Sequence, residues 1–381
     1  MKIGIDARFW NESGVGRYIR NLVNNLQKID ALNEYILFVS PQFNSKTIKD
    51  KKNWKIIITD IRWHSLNEQL KFPSLLNKEN LDLMHFPYFS VPILYNRPFV
   101  VTIHDLILHH FATGEATTRP QLLYFLKLQA YKFIMSASAQ KAKKIITVSS
   151  STKDEVIKHL KVSPKKISIT YEGVKSAVIA RLPVIARPRS GEAISIKKTT
   201  NYLLHVGNLY PHKNMNSILT AIKKIKDQEN ISINLFIVGK EDHFYFKYKK
   251  KVQELKLQNQ VKFLGEVTDQ MLQDLYKNCL AYISPSLMEG FDLPTAEAMA
   301  NNCLTLVSDI PVHREICQEA GIYFNLKDEK DLIKKIKEIY NKGKKAYTEK
   351  INKGNALAQK FTWQKMAQST LKIYENSLSL R

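Results

Sequence analysis

The sequence has few cysteines, little glycine or proline, no long hydrophobic run and too few acids to balance its bases. Its 3 cysteines in 381 residues, Cys279, Cys303 and Cys317, are odd in number and form no C-x-x-C pair. Neither a disulfide framework nor a zinc site is expected from them, and a reducing cytoplasm fits best. With 13 glycines and 13 prolines the chain is neither collagen-like nor of low complexity. No apolar run reaches the roughly 18 residues of a membrane span. Met1 to Asp6 enters a strand-like pattern with no apolar leader before it, so no secretory signal is expected.

The shortage of acids leaves 58 Lys+Arg against 35 Asp+Glu, a net charge of +23. That suggests an anionic partner: nucleic acid, an acidic membrane surface or a phosphorylated substrate. The excess is spread evenly, +12 over residues 1–180 and +11 over 181–381, so no basic tail causes it. No recognition-helix, zinc-finger or RNA-binding signature accompanies it, and no nucleic-acid partner is expected. A solvated lysine-rich surface explains the bulk of it equally well.

What is present is a core-forming composition. Hydrophobic residues make up 44% and aromatics 10% of the chain, and its length exceeds the roughly 250–300 residues of a single core, so two domains are expected. Short apolar runs at Lys2–Ile5, Tyr35–Val39, Lys55–Thr59, Leu83–Phe86, Phe99–Ile103 and Lys144–Val148 read as buried strands, with amphipathic helices such as Arg17–Lys28 and Ser65–Leu76 between them. A second series runs through Tyr202–Val206, Ile233–Val238, Val261–Leu264, Ala281–Ser284 and Thr305–Val307. The spacing predicts an α/β chain of two Rossmann-like, doubly wound parallel-sheet domains facing a deep interdomain cleft. The weakly periodic stretch Ala180–Thr200 divides them, giving residues 1–185, residues 186–360 and a helix in 361–381 that braces the first domain.

Ligands of such sheets bind just beyond the carboxyl ends of the strands, and the informative residues lie there. After the first strand, Gly14-Val15-Gly16-Arg17-Tyr18 allows close backbone approach and leads into a helix start; an ordinary tight turn explains it as well. His104-Asp105 follows Phe99–Ile103, where an imidazole can meet a sugar hydroxyl or cap the strand. Asn208 to Lys213 follow Tyr202–Val206, and Lys213 can supply a point charge for phosphate or merely lie on a solvated face, as one of 58 basic residues can. After Ala281–Ser284 come Glu289, Gly290, Phe291, Asp292, Leu293 and Pro294. Pro294 marks a helix start whose amides, from Phe291 to Thr295, suit a diphosphate. Glu297 falls in the expected first helical turn, placed to accept from two ribose hydroxyls or merely to favour the helix dipole.

Taken together, Glu289 and Glu297 in EGFDLPTAEAMA, Lys213 in GNLYPHKN, the GVGRY loop, His104-Asp105 and SDIPVHRE resemble glycosyltransferase family 4, the retaining nucleotide-sugar transferases with the GT-B fold. The resemblance covers nearly the whole chain. It implies that Glu289 contacts donor sugar hydroxyls, Lys213 neutralises the diphosphate, the amides of Phe291, Asp292 and Leu293 hold the phosphates, and Glu297 binds the ribose. His104 would stabilise the transferring sugar, while Gly14 and Gly16 would line the donor–acceptor junction. Transfer would retain configuration by front-face substitution, with positioning and electrostatics carrying it. Neither a metal nor a cofactor is implied.

Two positions depart from the pattern. Asn208 stands where many relatives have Arg, so either His212 or another base compensates or the charge stabilisation is weaker. Asp292 stands where relatives usually have Gly, and a carboxylate there must turn away from the pyrophosphate or read the sugar. The motif forms are most similar to mannosyl- and rhamnosyltransferases of surface-polysaccharide assembly, which favours GDP-mannose over UDP- or dTDP-sugars and a glycan or lipid-linked oligosaccharide as acceptor. Leu122, Leu123, Phe125, Leu126, Leu128, Tyr131, Phe133, Ile134 and Met135, next to Lys127, Lys132, Lys141, Lys143 and Lys144, form an apolar and basic stretch that suits an anionic membrane or a buried helix. The rival expectations are a sugar-phosphate synthase or nucleotide-sugar epimerase of the same fold, and a non-catalytic basic polyanion-binding protein.

Overall fold

The computed structural model describes residues 1–12, 14–111, 121–174 and 201–378, apart from the side chains of residues 121–123. The stretch Ala180–Thr200, expected to divide the domains, lies outside the described residues. The chain forms two compact units, Met1–Gly173 together with Thr362–Arg381, and Val174–Phe361.

In the first unit seven strands form one sheet: β1 Lys2–Asp6, β2 Glu34–Val39, β3 Trp54–Ile58, β4 Leu83–Phe86, β5 Phe99–Ile103, β6 Lys144–Thr147 and β7 Ile167–Ile169, in the order β3-β2-β1-β4-β5-β6-β7. In the second unit β8 Tyr202–Val206, β9 Asn234–Val238, β10 Val261–Gly265, β11 Ala281–Ser284, β12 Thr305–Ser308 and β13 Ile322–Phe324 give β10-β9-β8-β11-β12-β13. Every pairing is parallel. Each unit is therefore a doubly wound sheet. Its winding reverses between β1 and β4 in one and between β8 and β11 in the other, which are the places where such sheets open to ligands. The central strands are continuous apolar runs because helices cover both faces.

Two edge strands escape the sequence pattern. β7 and β13 are three residues each, and their half-buried members Ser168, Ile169 and Tyr323 blur the apolar run. The helix expected over Ser65–Leu76 is divided into Leu66–Leu70 and Phe72–Lys78. Pro73 sits in the first turn of the second piece, a position proline favours when a new helix begins.

Helix Gly14–Ile29 buries Tyr18, Ile19, Leu22, Val23 and Leu26 along one stripe. Helix Trp363–Leu378 packs on it within the same unit. There Tyr374 is held by His85 at 2.6 Å from its hydroxyl, and His85 meets Thr102 Oγ1 at 2.8 Å through its other ring nitrogen. In the second unit the three cysteines are buried free thiols, with the sulfurs of Cys279 and Cys303 3.1 Å apart.

Candidate functional site

The residues singled out in the second half of the sequence gather at the winding reversal of the second unit. β8 ends in Gly207, whose φ of +141° only glycine adopts without strain. Beyond it Asn208 leads to the short 3-10 turn Pro211–Lys213, which Asn214 closes in the left-handed conformation. Gly239, after β9, brings its backbone against this loop. A Cβ added there would lie 2.2 Å from the Gly207 carbonyl oxygen. From the neighbouring strand β11, the Leu287 amide donates to the His212 carbonyl oxygen at 2.7 Å and ties the two loops together.

That tie places Lys213 Nζ 2.5 Å from Glu289 Oε1. Both side chains are largely buried, at 15% and 7% exposure. Burial pushes the Glu289 carboxyl above its ordinary range, with Lys213 pulling it back down and Asp292 adding to the rise. A buried pair of this kind adds little net stability, because desolvation offsets its attraction. Its value lies in holding a cation and a carboxylate at one point. Burial, with the neighbouring Lys213 adding to it, pushes the His212 imidazole down to about 3.

Helix Leu293–Ala300 begins one residue before Pro294, with Asp292 as its N-cap in the left-handed conformation. Thr295 N–H donates to the Asp292 carbonyl oxygen at 2.9 Å, and Pro294 has no N–H. Of the amides expected from Phe291 to Thr295 to suit a phosphate, that of Thr295 is thus taken up inside the helix and Pro294 has none to offer. Glu297 is buried and lies in the second turn rather than the first, which removes the helix-dipole explanation for it. The Asp292 carboxylate turns inward: its Oδ2 accepts from Ser284 Oγ at 2.8 Å, Thr295 Oγ1 at 2.5 Å and His313 Nε2 at 2.9 Å.

The other three residues belong to the first unit. Gly16 lies inside helix Gly14–Ile29, and a Cβ on it would meet the carbonyl oxygens of Phe9 and Trp10 at 2.6 Å; around Gly14 there is open space. His104 is nearly buried after β5. Its Nε2 donates to the Pro87 carbonyl oxygen at 3.0 Å and its Nδ1 lies 3.3 Å from Glu172 Oε1. Burial lowers its basicity, but Glu172 and the Pro87 carbonyl outweigh that and raise it above the ordinary histidine value. Both ring nitrogens are thus directed at protein oxygens.

Sequence reading missed a buried charge cluster just after β1. Arg8 Nε and Nη2 donate to the two Asp6 carboxylate oxygens at 2.8 and 2.7 Å, and Nη2 reaches Glu68 Oε1 at 2.6 Å. Among the described residues His110, Glu155 and His159, in the first unit, also bring potential metal-ligating atoms within 4.8 Å of one another.

Comparison with known proteins completes the picture. Residues 13–177 match the glycosyltransferase family 4 model and residues 187–355 the glycosyl transferases group 1 model. The O-antigen chain mannosyltransferase RfbU of Salmonella typhimurium is 29% identical over 305 residues, covering 80% of this chain and 76% of the relative. The O-antigen chain mannosyltransferase B of Escherichia coli is 24% identical over 382 residues, covering 95% and 96%. Among solved structures, sucrose-phosphate synthase from Thermosynechococcus elongatus superposes with a TM-score of 0.77 over the full length of both chains at 17% identity, a likeness of fold alone. With both family models matched in order on two doubly wound units, the chain belongs to the family 4 glycosyltransferases of the GT-B fold.

Proposed function

We propose that the protein is a retaining, metal-independent hexosyltransferase of surface-polysaccharide assembly. Its donor is GDP-mannose and its acceptor a glycan or lipid-linked oligosaccharide. The observation that carries this reading is the Lys213–Glu289 pair at the β8–β11 reversal, beside the start of helix Leu293–Ala300. Glu289 turns to the hydroxyls of the donor sugar and Lys213 to the diphosphate. The amides of Phe291, Asp292 and Leu293 add donors to the phosphates, and Glu297 takes the ribose. In the transition state positive charge grows on the sugar and negative charge on the leaving diphosphate, and the paired side chains each answer one of them. The leaving phosphate helps to deprotonate the acceptor. The mannose assignment rests on the activity named for the two O-antigen relatives.

Lys213→Ala and Glu289→Gln are each expected to cut transfer on the order of 10²-fold or more, with folding followed separately by thermal melting. Near-normal rates in both would sink the reading. Because Lys213 supplies the charge, transfer should persist in excess EDTA; loss that Mg²⁺ or Mn²⁺ restores would remove the metal-independent part. A thermal-shift series of GDP-, UDP- and dTDP-sugars names the donor, and GDP-mannose is expected to stabilise most.

The acceptor reading places the protein at the inner face of the membrane. Helix Gln121–Lys141 supports this with Phe125, Leu126 and Phe133 at 54%, 57% and 64% exposure, beside exposed Lys127, Lys141 and Lys143. Met135 is buried, so one part of the stretch is core and another is not. Among the described residues no helix is long and apolar enough to cross a membrane. Co-sedimentation with vesicles containing anionic lipid, lost on Phe125→Ser/Phe133→Ser, is expected; equal partitioning onto neutral vesicles would refute the placement.

A further inference from the structure

Asp292 occupies the one position of the phosphate loop where a carboxylate should be least welcome. Its backbone is left-handed, φ +56°, and its side chain is 1% exposed. The oxygen Oδ2 gathers three donors: Ser284 at the end of β11, Thr295 in helix Leu293–Ala300, and His313 in helix Pro311–Cys317. Behind it, His313 Nδ1 donates to the Ser308 carbonyl oxygen at 2.8 Å, and Ser308 Oγ donates to the Ser286 carbonyl oxygen at 2.5 Å. Both nitrogens of the fully buried His313 ring thus face protein oxygens, and the ring bridges Ser308 to the Asp292 carboxylate. Burial works to raise the Asp292 carboxyl, but His313, Lys213 and Thr295 outweigh it and hold it well below the usual carboxylate range.

The Asp292 carboxylate is thus held inward by three donors, away from the place where the proposed diphosphate binds. Deleting His313 would release it from the donor that ties it to helix Pro311–Cys317.

We infer that His313 is a positioning residue for the donor diphosphate. By holding the Asp292 carboxylate turned inward, it lets an anionic ligand approach a loop that carries a carboxylate at its turn. This rests on the proposed role of that loop as the diphosphate site, and it adds His313, Ser284 and Thr295 to the residues that determine donor affinity.

The test compares His313→Gln with the double variant Asp292→Gly/His313→Gln, measuring KM for the nucleotide-sugar, kcat, Kd for the free nucleoside diphosphate and Tm. His313→Gln keeps a polar side chain but loses the ring that bridges Ser308 to Asp292. It should raise donor KM and nucleotide Kd on the order of 10²-fold while changing kcat about threefold or less. The double variant removes the carboxylate that His313 holds in place, and glycine accepts φ +56° without strain, so KM should return to within about tenfold of the unmodified protein. A double variant as impaired as the single one, or KM changes that simply follow lost Tm, would overturn the inference. If His313→Gln alone does not fold, the double variant carries the decision: a donor KM more than about tenfold above that of the unmodified protein overturns it. Failure of the underlying reading looks different, since the unmodified protein would then neither bind nor turn over any nucleotide-sugar, and both would fall.

Discussion

Gly14 and Gly16 stand two positions apart and do different things. Gly16 is fixed by packing, because the carbonyl oxygens of Phe9 and Trp10 lie where its Cβ would go. Gly16→Ala is expected to lower Tm by about 5–10 °C, the response to a clash of a few kcal/mol in a unit of this size. Gly14 has open space around it, and Gly14→Ala should leave Tm unchanged or slightly raised. A fall in transfer on Gly14→Ala without a fall in Tm would mark it as part of the substrate path; paired melting and transfer assays separate the two. Both glycines are legible in the sequence, but their different reasons are not, since the clash depends on where the β1 loop folds back. The same limit hid Arg8. Its two carboxylates come from two residues before it and from Glu68, and nothing local in the sequence couples Arg8 to Glu68.

At the scale of elements, the sequence reveals what repeats. Long apolar strands and amphipathic helices declare the two doubly wound sheets, and the residues after β1, β5, β8 and β11 follow from that topology. It conceals what is short or tertiary. β7 and β13 lie at sheet edges and need only three residues of pattern. Helix Leu293–Ala300 begins one residue before Pro294, and so moves Glu297 into its second turn. The inward turn of Asp292 was one of two open alternatives. Its deciding partner, His313, is supplied by another helix twenty-one positions away. Motif reading thus singled out the loop after β11, while the contacts beneath it required coordinates.

For the whole molecule, buried neutral histidines are distributed over both units. Burial pushes His85 down to about 3 in the first unit, and His205 down to about 4 in the second. The ordinary value is near 6.5. As pH falls through that value, the unfolded chain takes up protons that these folded rings refuse, so stability is lost progressively from about pH 6.5 toward pH 4. Each ring contributes at most about 1.4 kcal/mol per pH unit in that window. Melting between pH 7.5 and 4.5 should therefore show a steady acid-side decline, shallower in His205→Phe. A flat profile would contradict it. The charge of +23 steepens the same decline through self-repulsion.

The return of Trp363–Leu378 to the first unit also orders events in time. Val174–Phe361 is contiguous and, among the described residues, carries all six strands of its sheet once it has left the ribosome. Met1–Gly173 emerges first yet lacks the helix that covers Gly14–Ile29 and supplies Tyr374 to His85. The half synthesised earliest is the half completed last, and until then it presents an uncovered apolar stripe to whatever chaperone meets the nascent chain.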